Sequence, residues 1–164
     1  KSKNSAKIAS AFASVINEDV ENVKLSYDEN FFDYIILGDV LEHLNNPWKL
    51  LKELRLYLKQ DGYILATIPN IMHISVIKEI INGKFTYKEN GILNIDHLRF
   101  FTLNEIYKMF EASNLQIQEV YYIKHYTQGD EEKYLLEKLC EITGEENRLQ
   151  YLSGEYIVKA TCRN

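Results

Sequence analysis

The chain has 164 residues, a net charge of −5, 46% hydrophobic and 26% charged residues, and a mean hydropathy of −0.30. Those values fit one globular domain spanning residues 1–164 and exclude a bilayer-crossing run of about 20 apolar residues. The acidic balance argues against a sequence-independent grip on nucleic-acid phosphates. Lys1-Ser2-Lys3-Asn4 carries charge with no apolar stretch behind it, so no secretory signal is read. Cys140 and Cys162 lie far apart without metal-ligand spacing, which suits a reducing compartment. The expectation is a cytoplasmic protein with neither nucleic acid nor membrane as a partner.

Apolar residues Ile8, Ala9, Phe12, Ala13 and Ile16 recur at helical spacing and predict a helix over 5–16. A short strand is expected at 20–25. Phe31 to Gly38 is the strongest strand, with little polar alternation, and reads as central in a sheet. Asn45-Asn46-Pro47 opens a helix running to about Lys59, with Leu50, Leu51, Leu54 and Leu58 on its buried face. Gln60-Asp61-Gly62 ends it, and Tyr63 to Ile68 forms the next strand, stopped by Pro69.

From Asn70 to Phe101 only the stretch near Ser75 to Ile81 is helical. An irregular segment of that length inside a compact domain usually serves function. Thr102 with Glu105 forms a capping box that starts a helix to about Ser113. Two further strands, Leu115 to Tyr122 and Glu155 to Thr161, flank a helix over 130–141 and a charged turn at Gly144 to Arg148. Strands alternating with helices predict a doubly wound α/β fold whose sheet is mostly parallel, with an antiparallel pair at the C-terminal end.

Ligands of parallel α/β sheets sit outside the carboxyl ends of the strands. Gly38-Asp39-Val40-Leu41-Glu42-His43-Leu44 directly follows the central strand and puts three ionisable groups, Asp39, Glu42 and His43, within five residues. A plain alternative is that Asp39 caps a turn while Glu42 and His43 face solvent. Asn70 follows the next strand end, and Asp96-His97-Leu98-Arg99-Phe100-Phe101 sets a histidine and an arginine among aromatics, as in the wall of a pocket. There the plain alternative is local packing and capping.

The run Phe32-Asp33-Tyr34-Ile35-Ile36-Leu37-Gly38-Asp39-Val40-Leu41-Glu42-His43-Leu44 resembles the fourth-strand motif of class I S-adenosylmethionine-dependent methyltransferases. Pro47-Trp48, Leu50-Leu51, Leu58-Lys59, Gly62 and Ile68-Pro69-Asn70 continue that pattern in register. Gly83-Lys84-Phe85-Thr86-Tyr87, Gly91-Ile92-Leu93 and Asp96 to Thr102 are similar to a bacterial subgroup often found beside glycosyltransferases. The resemblance implies a Rossmann-like sheet and S-adenosylmethionine as cofactor. It implies Asp19 and Val20 at the adenine, and Gly38, Asp39 and Val40 under the methionine part. Asn70, His73, His97 and Arg99 would belong to the acceptor pocket. O-methylation of a sugar, glycan or other small hydroxylated acceptor follows, with His97, then His43, as general base and Arg99 on an acceptor anion.

Asp39, Glu42, His43 and His97 also resemble the metal-binding constellation of small-RNA 3′-end methyltransferases. The first three resemble the matching motif of ubiquinone-pathway O-methyltransferases. Such a set would suit a divalent ion softer than Mg²⁺. The glycine-rich first motif and the acidic end of the second strand are not found in these residues. The resemblance therefore implies a C-terminal portion of the domain, a truncated sheet missing two strands and inactive by itself, whose apolar edge self-associates. The rival expectation is a non-catalytic remnant that acts as a scaffold or partner-binding module.

Overall fold

The structure, a computed structural model, describes residues 3–124 and 129–163. Four strands, β1 (Phe32–Gly38), β2 (Leu58–Pro69), β3 (Leu115–Lys124) and β4 (Ser153–Cys162), make one sheet in the order β1-β2-β4-β3. β1 and β2 pair in parallel, whereas β4 is antiparallel to both of its neighbours. Three strands therefore run one way and β4 alone is reversed. The antiparallel pair expected at the C-terminal end is present, with β4 slotted between β2 and β3.

Alternation along the strands decides which face is buried. Leu37, Ile64, Ala66, Ile68, Tyr156, Val158 and Ala160 share the core face, and registered pairs such as Ile64↔Ala160 and Ala66↔Val158 set them side by side. Two amphipathic helices cover that face, α2 (Pro47–Tyr57) through Leu50, Leu51 and Leu54, and α4 (Leu103–Glu111) through Leu103, Ile106, Met109 and Phe110. Each starts where the sequence predicts. The Asn46 side chain accepts from Lys49 N at 3.0 Å and that of Thr102 from Glu105 N at 3.3 Å, which satisfies amide donors left open by the first turn.

A smaller cluster of Ile74, Leu136, Cys140 and Tyr151 joins α3 (Ile74–Ile81), α5 (Asp130–Thr143) and α6 (Arg148–Leu152). The sequence reading has only a charged turn at 144–148 and misses α6. Its first turn is built by Arg148, which holds Glu145 and Glu137 at 2.6 and 2.8 Å.

Two expectations need correction. The helix over 5–16 is α1 (Lys3–Ala9), with no buried residue. Ile8 and Phe12 are 61% and 88% exposed, so the apolar stripe is not covered by any of the described residues, and a helix this short is marginal without tertiary burial. Val20 to Leu25 is not a strand. Asp19 O accepts from Asn22 N and Val23 N to make a turn, and Val20 and Leu25 pack on the main core instead. Glu21, unremarked in the sequence, accepts from Asn45 N and Asn46 N at 3.2 and 2.8 Å and ties this segment to the start of α2. β1, central by its apolar run alone, lies at an edge of the sheet, in agreement with the apolar edge that the resemblance implies, with Tyr34 59% and Ile36 73% exposed on the face away from the core.

Candidate functional site

The chain leaves β1 at Gly38, where an added Cβ would meet nothing within 4 Å, so the space beside this backbone is open. Asp39 follows in the left-handed region at φ 49°, a conformation that short polar side chains tolerate. Thr67 of β2 fixes it: Asp39 N–H donates to Thr67 Oγ1 at 2.9 Å, and the Thr67 hydroxyl donates to Asp39 Oδ1 at 3.0 Å. A single 3-10 turn, Leu41–His43, comes next.

That turn buries Leu41 and Glu42 completely and leaves His43 half-buried. Glu42 is 1% exposed, and neither carboxylate oxygen has a hydrogen-bond partner on another described residue. Burial pushes its pKa up to about 7, partly offset by its own backbone amide and by His43.

The irregular segment returns to this place because the Glu42 carbonyl accepts from both Leu98 N and Arg99 N, at 2.8 and 3.0 Å. His97 is thereby set beside His43, with ring centroids 4.8 Å apart and nearly perpendicular. Both rings are oriented from behind. His43 Nδ1 is 3.0 Å from Asp96 O, and His97 Nδ1 is 2.9 Å from Ile92 O. A carbonyl only accepts, so each Nδ1 carries a proton, and in the neutral ring Nε2 presents a lone pair. Burial, the largest cause, lowers the His97 pKa and favours its neutral form. A cavity of about 240 Å³ opens here, lined among others by Asp39, Glu42, His43, Asn94, His97 and Glu155.

The expected residues divide cleanly. His43, Glu42, His97 and Asp39 share one cavity. Among the described residues, the ligand atoms of Glu42, His43 and His97 lie within 4.8 Å of one another, a group that Asp39 does not join.

Arg99 does not line the cavity; its Nη2 and Nη1 donate to Asn45 O at 2.5 Å and Leu98 O at 3.1 Å and brace the loop. His73 is the N-cap of α3, where its Nδ1 accepts from Ser75 N, and it lines a separate cavity of about 230 Å³ with Glu79 and Lys88.

Asn70 is fully buried and spent on the backbone: its Nδ2 donates to Gln150 O and Ser153 O at 2.7 and 2.8 Å, and its Oδ1 accepts from Met72 N. It splices the end of β2 to the start of β4. Val40 packs on the main core, and the Asp19 carboxylate accepts from Glu21 N and Asn22 Nδ2 within its own turn.

Residues absent from the sequence reading are Thr67, Asn94 and Glu155. Thr67 inside an apolar strand, Glu155 at the start of β4 and Asn94 in a loop carry no local pattern; the first two reach the site only through pairing of β2 with β1 and β4.

Three comparisons bear on this arrangement. The mitochondrial ubiquinone biosynthesis O-methyltransferase of Dictyostelium discoideum is 25% identical over 122 residues, 67% of this chain and 38% of that protein. The uncharacterized methyltransferase YcgJ of Bacillus subtilis is 28% identical over 126 residues, 72% of this chain and 47% of that one. The chain thus spans less than half the length of these curated relatives. A crystal structure of a SAM-dependent methyltransferase from Archaeoglobus fulgidus superposes with a TM-score of 0.66 at 14% identity, over 98% of this chain and 72% of that one, and so shares its fold. The family model described as a methyltransferase domain matches residues 3–120, and the chain belongs to that family.

Proposed function

We propose that the protein acts in S-adenosylmethionine-dependent O-methylation and that these residues form the acceptor side of the reaction. The observation that carries the reading is the Glu42–His43–His97 cluster at the carboxyl end of β1, in a cavity beside the Gly38–Asp39 turn. The open space at Gly38 suits a cofactor lying against that backbone, with Asp39 and Val40 continuing the contact. Asp19 and Val20 contribute through their turn at the other end of the cofactor.

Methyl transfer from a sulfonium is an in-line displacement. The carbon–sulfur bond breaks as the carbon–oxygen bond forms, S-adenosylhomocysteine leaves, and the acceptor hydroxyl gives up a proton. The protein's contribution is to hold oxygen, carbon and sulfur in line and to exclude water. The proton is lost at the cluster, where two imidazole lone pairs face the cavity; His97, the more buried ring, is the first group in that role and His43 the second. A cavity of about 240 Å³ admits a small hydroxylated acceptor or one residue of a glycan.

Methyl transfer from labelled S-adenosylmethionine to a panel of hydroxylated sugars and phenols tests the reading. His97→Ala in the full-length protein should lower turnover at least tenfold while cofactor affinity stays within about twofold. No transfer to any hydroxyl acceptor by the wild-type protein that binds the cofactor would overturn it in favour of a scaffold role.

A further inference from the structure

Glu42 presents a chemical problem that the proposed methyl transfer does not solve. A carboxylate that is 1% exposed, with neither oxygen bonded to another described residue, is costly to bury unless something positive meets it. Its nearest counterpart is His43, whose Nε2 lies 4.0 Å from Glu42 Oε1. That imidazole is held with a proton on Nδ1, toward Asp96 O, so in the neutral ring Nε2 offers a lone pair and not a hydrogen. His97 does the same with Ile92 O behind it. With both rings neutral and Glu42 ionised, three Lewis-basic groups lie within 4.8 Å of one another with no hydrogen among them.

We propose that Glu42, His43 and His97 are the three protein ligands of a divalent transition-metal cation, held at the inner wall of the cavity with its remaining positions open to the acceptor. The inference rests on the proposed O-methylation only for what the ion does, not for whether it binds.

Two imidazoles and one carboxylate suit Zn²⁺, Co²⁺ or Mn²⁺ better than Mg²⁺, which prefers oxygen and keeps its waters. Bonds of about 2.0–2.2 Å to such ions put neighbouring ligand atoms roughly 3.3 Å apart. The three atoms lie within 4.8 Å, so a closure of up to about 1.5 Å, within reach of side-chain rotation, completes the set. The ring nitrogens away from the cavity are already bonded to backbone carbonyls, the outer-shell arrangement that fixes metal-ligating histidines.

Asp39 is not a ligand. Its carboxylate is engaged by Thr67, and it stands outside the group. When bound, the cation takes over the role of the imidazole lone pairs, which are then its ligands: it lowers the pKa of a hydroxyl placed against it, and the proton passes to solvent in the open cavity.

The test is titration of Co²⁺ into the full-length protein stripped with EDTA, read by its visible d–d absorption and by calorimetry. One ion per chain is expected. Glu42→Gln, His43→Ala and His97→Ala should each weaken binding at least tenfold, and Asp39→Asn should leave it within about threefold. Glu42→Gln keeps the shape of the buried side chain and is the variant least exposed to misfolding; circular dichroism checks all four.

Absence of a d–d band at millimolar Co²⁺, or a band that survives Glu42→Gln and His97→Ala, would overturn the proposal. So would full methyl transfer by the stripped protein, which would leave the proposed function standing. A bound ion with no methyl transfer would do the reverse.

Discussion

Replacing Glu42 by glutamine removes a charge that the ion-free protein holds at a cost, and the size of that cost follows from the site. Burial moves the carboxyl from 4.5 to about 7, a shift of roughly 2.5 units at 1.36 kcal/mol each, or about 3 kcal/mol. A raised carboxyl pKa means that the folded state holds its proton more tightly than the unfolded chain. The penalty is therefore absent below the unfolded value, enters as pH rises from 4.5, and is complete above about 7.

The charges around Glu42 are few. His43 opposes the shift, while Asp39 and Glu155 add to it. Urea unfolding of wild type and Glu42→Gln in EDTA, at about pH 4 and about pH 8, should show the stability of the variant relative to wild type rising by about 3 kcal/mol between them. Any offset from the glutamine amide is the same at both pH values and cancels. An offset that does not change with pH would refute the reasoning, because it would mean that Glu42 titrates like an exposed carboxyl.

Asn70→Ala should cost about 2–4 kcal/mol in chemical denaturation, since it removes three buried hydrogen bonds, two to the carbonyls of Gln150 and Ser153 and one from the Met72 amide; an acceptor-binding role alone would leave stability near wild type. Gly62→Ala should destabilise by about 1–3 kcal/mol, because the added Cβ would sit 3.0 Å from both Asp33 O and Phe32 O at the irregular start of the β1–β2 pairing; an unchanged melting curve would show that the backbone yields there. The open edge of β1, with Tyr34 and Ile36 exposed, should draw a second copy of the chain onto it. Light scattering of these residues should give a dimer, lost in Ile36→Lys; a monomer at all concentrations would refute the expectation.

Much of the fold is readable because its signals are local. Asn46 with Pro47 and Thr102 with Glu105 announce α2 and α4 through capping that needs only neighbouring residues. β2 reads as an apolar run stopped by Pro69 and β4 as a run of β-formers, and in the sheet both bury every second residue. What failed depended on partners elsewhere in the chain. The apolar spacing of Ile8, Phe12 and Ile16 is genuine, yet no described element covers it, so the helix stops at Ala9. An apolar stretch such as Tyr34 to Leu37 looks the same whether one or both of its edges are paired, and so β1 reads as central when it lies at an edge. Arg99 and Asn70 look like pocket residues by type, but their donors go to backbone carbonyls that no sequence motif identifies.

The site itself was visible in parts. Asp39, Glu42 and His43 stood in one segment and His97 more than fifty residues later, with no spacing rule to connect them. Their meeting depends on backbone atoms, the Glu42 carbonyl taking the amides of Leu98 and Arg99, and any residue types at those positions could have made the same bonds. Side-chain chemistry decides what is done with the meeting. A chain under pressure for stability alone gains from an apolar side chain at position 42, where the surroundings already exclude water. Keeping a carboxylate there, beside the imidazoles of His43 and His97 and with neither oxygen bonded to another described residue, raises the energy of the empty site once Glu42 is ionised. That excess is released when a cation enters. The same arrangement that makes position 42 expensive in the stripped protein thus favours the ion, and the pH-dependent penalty and the metal affinity are two readings of one feature: adding Co²⁺ at about pH 8 should raise wild-type stability while leaving Glu42→Gln nearly unchanged.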